Sequence, residues 1–109
     1  MEQPPKPETG KEKIEKEKVL ELLRTRGMED SEAREAVMQW TLEREASVIT
    51  SRDAIVFNIE RADLYRAAGD IQGALECLED ARMQAHQEQE GGLFADIEKK
   101  MDELERGSA

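Results

Sequence analysis

Residues 62–81 read Ala62-Asp63-Leu64-Tyr65-Arg66-Ala67-Ala68-Gly69-Asp70-Ile71-Gln72-Gly73-Ala74-Leu75-Glu76-Cys77-Leu78-Glu79-Asp80-Ala81, and the fold turns on them. Alanines at 62, 74 and 81 leave room for two helices to approach closely. Tyr65 supplies bulk near the turn, while Leu64, Leu75 and Leu78 fill the remaining space. Gly69 permits a tight reversal because it reaches positive φ without a Cβ clash. The pattern predicts an antiparallel helical hairpin.

Working outward, the first arm of the hairpin covers about residues 52–68. Ile55, Ile59 and Ala62 lie on one stripe, and Phe57, Leu64 and Ala68 on another. Asp70 is placed to cap the second arm, which is expected to reach about Glu90 with Ala74, Leu75, Leu78, Ala81 and Ala85 as its packing face. Gly91-Gly92 reads as the next break. Leu93, Ile97, Met101 and Leu104 then recur at helical spacing, flanked by Phe94, which predicts an amphipathic helix over 93–106 with Gly107 ending it.

Upstream, Asp30 or Ser31 can cap a helix carrying two apolar stripes. One holds Ala33, Val37 and Trp40; the other holds Met38, Leu42, Ala46 and Ile49. A face this wide predicts contacts on two sides. Trp40, the only tryptophan, reads as a core anchor. Around Val48–Asp53, β-branched residues and the possible caps Ser51 and Asp53 favour a new helix near residue 52. Yet neither glycine nor proline interrupts 28–68, so one continuous helix of about 60 Å stays open as an alternative. A first helix is expected over 11–26. Its opening is held by the pairs Lys11–Glu15, Glu12–Lys16 and Lys13–Glu17, its packing comes from Val19, Leu20, Leu22 and Leu23, and Gly27 caps it.

Composition agrees. Only 4% of residues are aromatic, no alternating β-branched run appears, and proline is confined to positions 4, 5 and 7. Residues 1–10 are too polar to offset their ordering entropy and read as a disordered tail, with 107–109 as a disordered end. The expected fold is therefore all-α: a small helical bundle of four to five helices, one domain over 11–106, containing the hairpin.

The net charge is −10 and unevenly spread: residues 11–27 hold six Lys/Arg against four Glu, whereas 28–109 hold nine against twenty acids. Such an acidic body repels phosphate backbones, so nucleic acid is not an expected partner. No apolar run approaches a bilayer span and no signal-peptide pattern opens the chain, so neither a membrane nor secretion is expected, and the cytoplasm is the default location.

Catalytic and metal chemistry find little to work with. Cys77 and His86 are each the only one of their kind, and nine residues of helix separate them by about 13–14 Å, too far to form a dyad. His86 and Glu90 offer at most a two-ligand corner. The carboxylate pairs follow from 26 acids on exposed helix faces. No glycine-rich phosphate loop, calcium loop or nucleophile elbow occurs. The expectation is a non-enzyme with no catalytic residues, no cofactor and no metal.

The hairpin resembles a tetratricopeptide repeat, a helix–turn–helix unit of about 34 residues. With the Gly-Asp turn placed on Gly69-Asp70, Ala62, Tyr65, Ala74 and Ala81 fall on the repeat's small, aromatic, small and small positions, and the unit spans about Ile55 to Glu88. Leu78 takes the place of an aromatic, Asn58 and Arg61 stand where bulky apolar residues are usual, and His86 replaces a closing proline. No second repeat is recognisable.

The resemblance implies protein or peptide binding on the concave face of the first arm, which would present Val56, Ile59, Asp63 and Arg66. Basic and Asn residues for gripping a terminal carboxylate are not evident. The function expected is a non-enzymatic protein–protein interaction module, an adaptor or scaffold for another protein or peptide. Substituting Asp63 and Arg66 is expected to weaken capture of that partner without changing thermal stability. Two alternatives stand beside it: a small acidic chaperone or inhibitor masking a basic partner, whose binding would collapse with salt, and a homodimeric structural unit with the wide face of the second helix as its seam.

Overall fold

Capping side chains and turn backbone bonds set most of the helix boundaries. In the computed structural model, which describes residues 14–107, five helices follow one another: α1 (Lys16–Arg26), α2 (Ser31–Ala46), α3 (Ser51–Ala67), α4 (Ile71–Gln87) and α5 (Gly91–Gly107). The fold is an all-α bundle, with no strand among the described residues. The expectation of a disordered tail lies outside those residues, and each of the three early charge pairs includes a residue at 11–13 that does too.

The first helix starts later than its charge pattern suggests. Glu15 is extended (φ −87°, ψ 145°), and the Ile14 N–H donates to Glu43 Oε1 at 3.3 Å instead of entering a helix. Gly27, at φ 81°, closes α1 with its N–H on the Leu23 carbonyl at 2.9 Å. Asp30 is the cap of α2, accepting from the Ala33 N–H at 3.0 Å.

Residues 31–68 form two helices, not one. Thr50 caps α3, a role the sequence suggested for Ser51 or Asp53. Its hydroxyl accepts from the Asp53 N–H at 3.0 Å, and the Asp53 carboxylate accepts from the N–H groups of Ile49 and Thr50, each at 3.2 Å. This reciprocal capping box satisfies N–H groups that the helix start would otherwise orphan, which is why a break forms without glycine or proline. The Thr50 and Ile49 N–H groups hold the Asp53 carboxyl below its ordinary value. The stability this contributes is therefore present above the carboxylate range and is lost as pH falls through the lowered pKa.

Between α3 and α4 the Asp70 N–H reaches the Tyr65 carbonyl at 2.9 Å and the Gly69 N–H reaches Arg66 at 3.0 Å, the two bonds of a Schellman closure. Gly69 sits at φ 85°. Asp70 then caps α4 through the Gly73 N–H at 2.8 Å. A Cβ at Gly73 would lie 2.7 Å from Asp70 Oδ2 and 2.9 Å from Tyr65 Cδ1. Glycine there lets the cap and the tyrosine ring share one space.

The α3–α4 pair is antiparallel: Arg52 bonds Glu90 at 2.6 Å at one end and Asn58 bonds Gln84 at 2.9 Å further in. One apolar cluster joins α3, α4 and α5 through Ile55, Ala62, Ala74, Cys77, Leu78, Ala81, Ala85, Ile97 and Leu104. A second joins α1, α2 and α3 through Val19, Leu20, Leu23, Ala33, Ala36, Trp40 and Leu64. Trp40 is buried as expected, its ring stacked on Phe57 with centroids 6.1 Å apart. Removing a side chain of the size of Ile55 or Leu64 from water contributes about 1.5–3 kcal/mol. The two stripes read along α3 therefore face two different clusters.

The second stripe of α2 fares differently. Met38 (63%), Leu42 (61%) and the following Ile49 (85%) are exposed, so α2 is covered on one side where two were expected. The α4–α5 reversal also departs from expectation. Gly91-Gly92 belongs to the first turn of α5, and the left-handed residue is Gln89, at φ 58°. The Glu90 N–H bonds the Ala85 carbonyl at 2.8 Å and the Gln89 N–H bonds His86 at 3.2 Å, the same closure that Gly69 makes. A side chain in that conformation costs about 1–2 kcal/mol. Gln89→Gly should therefore raise stability by about 1 kcal/mol, seen as a rise of several degrees in the thermal midpoint by circular dichroism. A lower midpoint would mean that the glutamine side chain holds the turn.

Candidate functional site

Between α1 and α3 lies a cleft of about 530 Å³, lined by Lys16, Glu17, Leu20 and Arg24 from α1 and by Asp63, Arg66 and Ala67 from α3. Its size falls in the range of ligand pockets, roughly 300–1,000 Å³. Along α1 the lining runs from Lys16 to Arg24, a length of about 12 Å at the helical rise.

Asp63 is the electrostatic junction of this region. Its Oδ2 accepts from Lys16 Nζ at 2.7 Å and its Oδ1 faces Lys100 Nζ at 3.6 Å, so one carboxylate joins α1, α3 and α5. Arg24 and Arg66 differ from most arginines of the chain. Arg26, Arg44, Arg52, Arg82 and Arg106 all hold carboxylates. Arg24 and Arg66 are exposed and have no ion pair or hydrogen-bonded side-chain partner among the described residues.

Of the four residues expected on the binding face, the cleft contains two, Asp63 and Arg66. Ile59 packs against the α3–α4–α5 cluster, and Val56 is half-buried and outside the cleft. Sequence reasoning missed the opposite wall, Lys16, Leu20 and Arg24. The signal was present, since residues 11–27 are the one basic stretch of an acidic chain, but nothing in the sequence placed that stretch against Arg66.

A smaller concavity of about 170 Å³ lies between α2 and α3, lined by Met28, Val37, Thr41, Arg61, Leu64 and Tyr65. Arg61 bonds Asn58 Oδ1 at 3.3 Å and lies 5.9 Å from the Phe57 ring centroid.

Cys77 is buried in the α3–α4–α5 cluster, and burial pushes its thiol up, so it is held protonated. His86 is exposed with its ring 6.1 Å from that of Phe94. Among the described residues no group of three or more His, Cys, Asp or Glu side chains is placed to hold a metal ion, no polar side chain is fully buried, and no helix is long and apolar enough to cross a membrane. Comparison with protein-family models, curated proteins and solved structures gives no match.

The double pairing of Asp63 gives a reason for its substitution to affect stability, since it removes ion pairs to two other helices as well as a lining residue of the cleft. Asp63→Ala should lower stability by about 1 kcal/mol, the scale of partly exposed ion pairs. The deficit should shrink in high salt as the pairs are screened. Urea melts at low and high salt test this; an unchanged midpoint at low salt would show that the junction contributes nothing.

Proposed function

We propose that this chain is a non-enzymatic protein-interaction module, an adaptor or scaffold that takes a segment of a partner polypeptide into the cleft between α1 and α3. The observation that carries this reading is the cleft itself: a concavity of peptide-binding size with an arginine on each wall, neither of them ion-paired among the described residues. Arginine is enriched where proteins bind each other, because its guanidinium offers five donors in a fixed fork. The resemblance of the α3–α4 hairpin to a tetratricopeptide repeat points the same way.

A second reading rests on a separate observation. Met38, Leu42 and Ile49 form an exposed apolar stripe along α2 and the turn after it, which favours a homodimer with α2 at the seam.

Affinity capture from native lysate separates the two when light scattering is run on the same preparations. The first reading expects a partner retained by the full chain, lost on Arg66→Glu and kept by the Met38→Glu/Leu42→Glu double variant, with a monomer in scattering. Capture indifferent to Arg66→Glu removes the cleft. A dimer dissociated by the double variant establishes the second reading.

A further inference from the structure

We infer that the segment bound in the α1–α3 cleft is acidic, with at least two Asp or Glu side chains within about four residues and an apolar side chain between or beside them. This rests on the reading of the cleft as a protein-binding site and names the chemistry of its ligand.

The charge count around the cleft runs against the rest of the chain. Lys16, Arg24 and Arg66 line it, and Lys100 reaches its edge through Asp63; the acids present are Glu17 and Asp63. Asp63 is already shared by Lys16 and Lys100. Arg24 and Arg66 have no ion-paired carboxylate among the described residues, in a protein whose net charge is −10. Both are exposed and line the same cleft from its two walls, so a carboxylate seated there has two guanidinium groups available to it. Guanidinium groups bind carboxylates through two parallel N–H donors, a charge-assisted geometry stronger and more directional than neutral hydrogen bonds.

Length sets the number of residues. A cleft of about 12 Å along α1 accommodates about four residues of extended chain at roughly 3.3 Å each. Half-buried Ala67 lies among the charged lining positions and gives an apolar side chain a small surface to cover, while Leu20 beside it is itself buried.

The surroundings favour a short peptide over a polyanion. Residues 28–109 carry nine Lys/Arg against twenty acids, so a nucleic-acid backbone extending past the cleft would meet a repelling surface. A few carboxylates held inside the cleft are screened from that surface beyond a Debye length, about 8 Å at physiological ionic strength.

The test is selection from a random octapeptide library with amidated C-termini on the immobilised full chain. Affinity for the leading peptide is then measured by fluorescence anisotropy. Retained peptides should be enriched at least fivefold in Asp and Glu near an apolar residue. The Arg24→Gln/Arg66→Gln variant should bind the leading peptide at least tenfold more weakly at an unchanged thermal midpoint. Arg34→Gln, which removes an exposed arginine outside the cleft, should bind it as the parent does. Peptides selected for apolar residues without acids would overturn the acidic assignment and leave protein binding standing. Acidic peptides held equally by the double variant would overturn the placement in the cleft. Selection of nothing, or preference for a single-stranded oligonucleotide probe over the acidic peptides, would sink both readings.

Discussion

Everything in this molecule is organised by the burial of α3 on two opposite sides. Ile55 and Ala62 face α4 and α5, while Leu64 faces α1 and α2. A chain this small cannot afford two independent cores, because each would expose too much of its own surface. Sharing one helix between two clusters lets both reach low exposure with few large side chains. Alanines do much of the work on the α4 side: Ala74, Ala81 and Ala85 are fully buried and let the backbones approach closely.

The candidate site follows from that arrangement. A helix covered on two sides still has edges, and one edge of α3 forms a wall of the cleft. Asp63 lies on that edge and ties α1 and α5 to α3 through Lys16 and Lys100. The walls of the cleft are therefore joined by an ion-paired junction, with Arg24 and Arg66 exposed on either side and not ion-paired among the described residues. Asp63 both ties the helices together and lines the cleft, so its substitution tests stability and the proposed recognition at once, whereas Arg66 has no ion pair among the described residues.

Much of the fold was legible in the sequence, for reasons that can be named. The two stripes of α3, the packing face of α4 and the Leu93–Leu104 repeat of α5 follow helical periodicity, and each packs against one of the two clusters, with Phe57, Ile59, Leu75, Leu93 and Met101 only partly buried. The aspartate caps Asp30 and Asp70 were legible, and a left-handed reversal was legible where glycine carried it. Gly69 marked its reversal, but Gln89 adopts the same conformation without the residue that advertises it, and Gly91-Gly92 drew attention to the wrong place. Thr50 was hidden for a similar reason: Ser51 and Asp53 are equally good caps on paper, and only the reciprocal bonds to Asp53 choose between them. The outer stripe of α2 has apolar periodicity but no helix to cover it. The site was half legible. Asp63 and Arg66 came from the resemblance of the hairpin, whereas Lys16, Leu20 and Arg24 depend on how α1 docks, a long-range contact that local pattern does not encode.

The claim that α3 binds both clusters into one cooperative unit can be tested with the chain's own reporter. Trp40 is the only tryptophan and sits in the α1–α2–α3 cluster, while far-ultraviolet circular dichroism follows all five helices. Urea unfolding followed by Trp40 fluorescence and by helicity should give coincident transitions, with the same midpoint and slope. A Trp40 transition completed while most of the helicity persists would show that α1 and α2 come away alone, and that α3 does not couple the two halves.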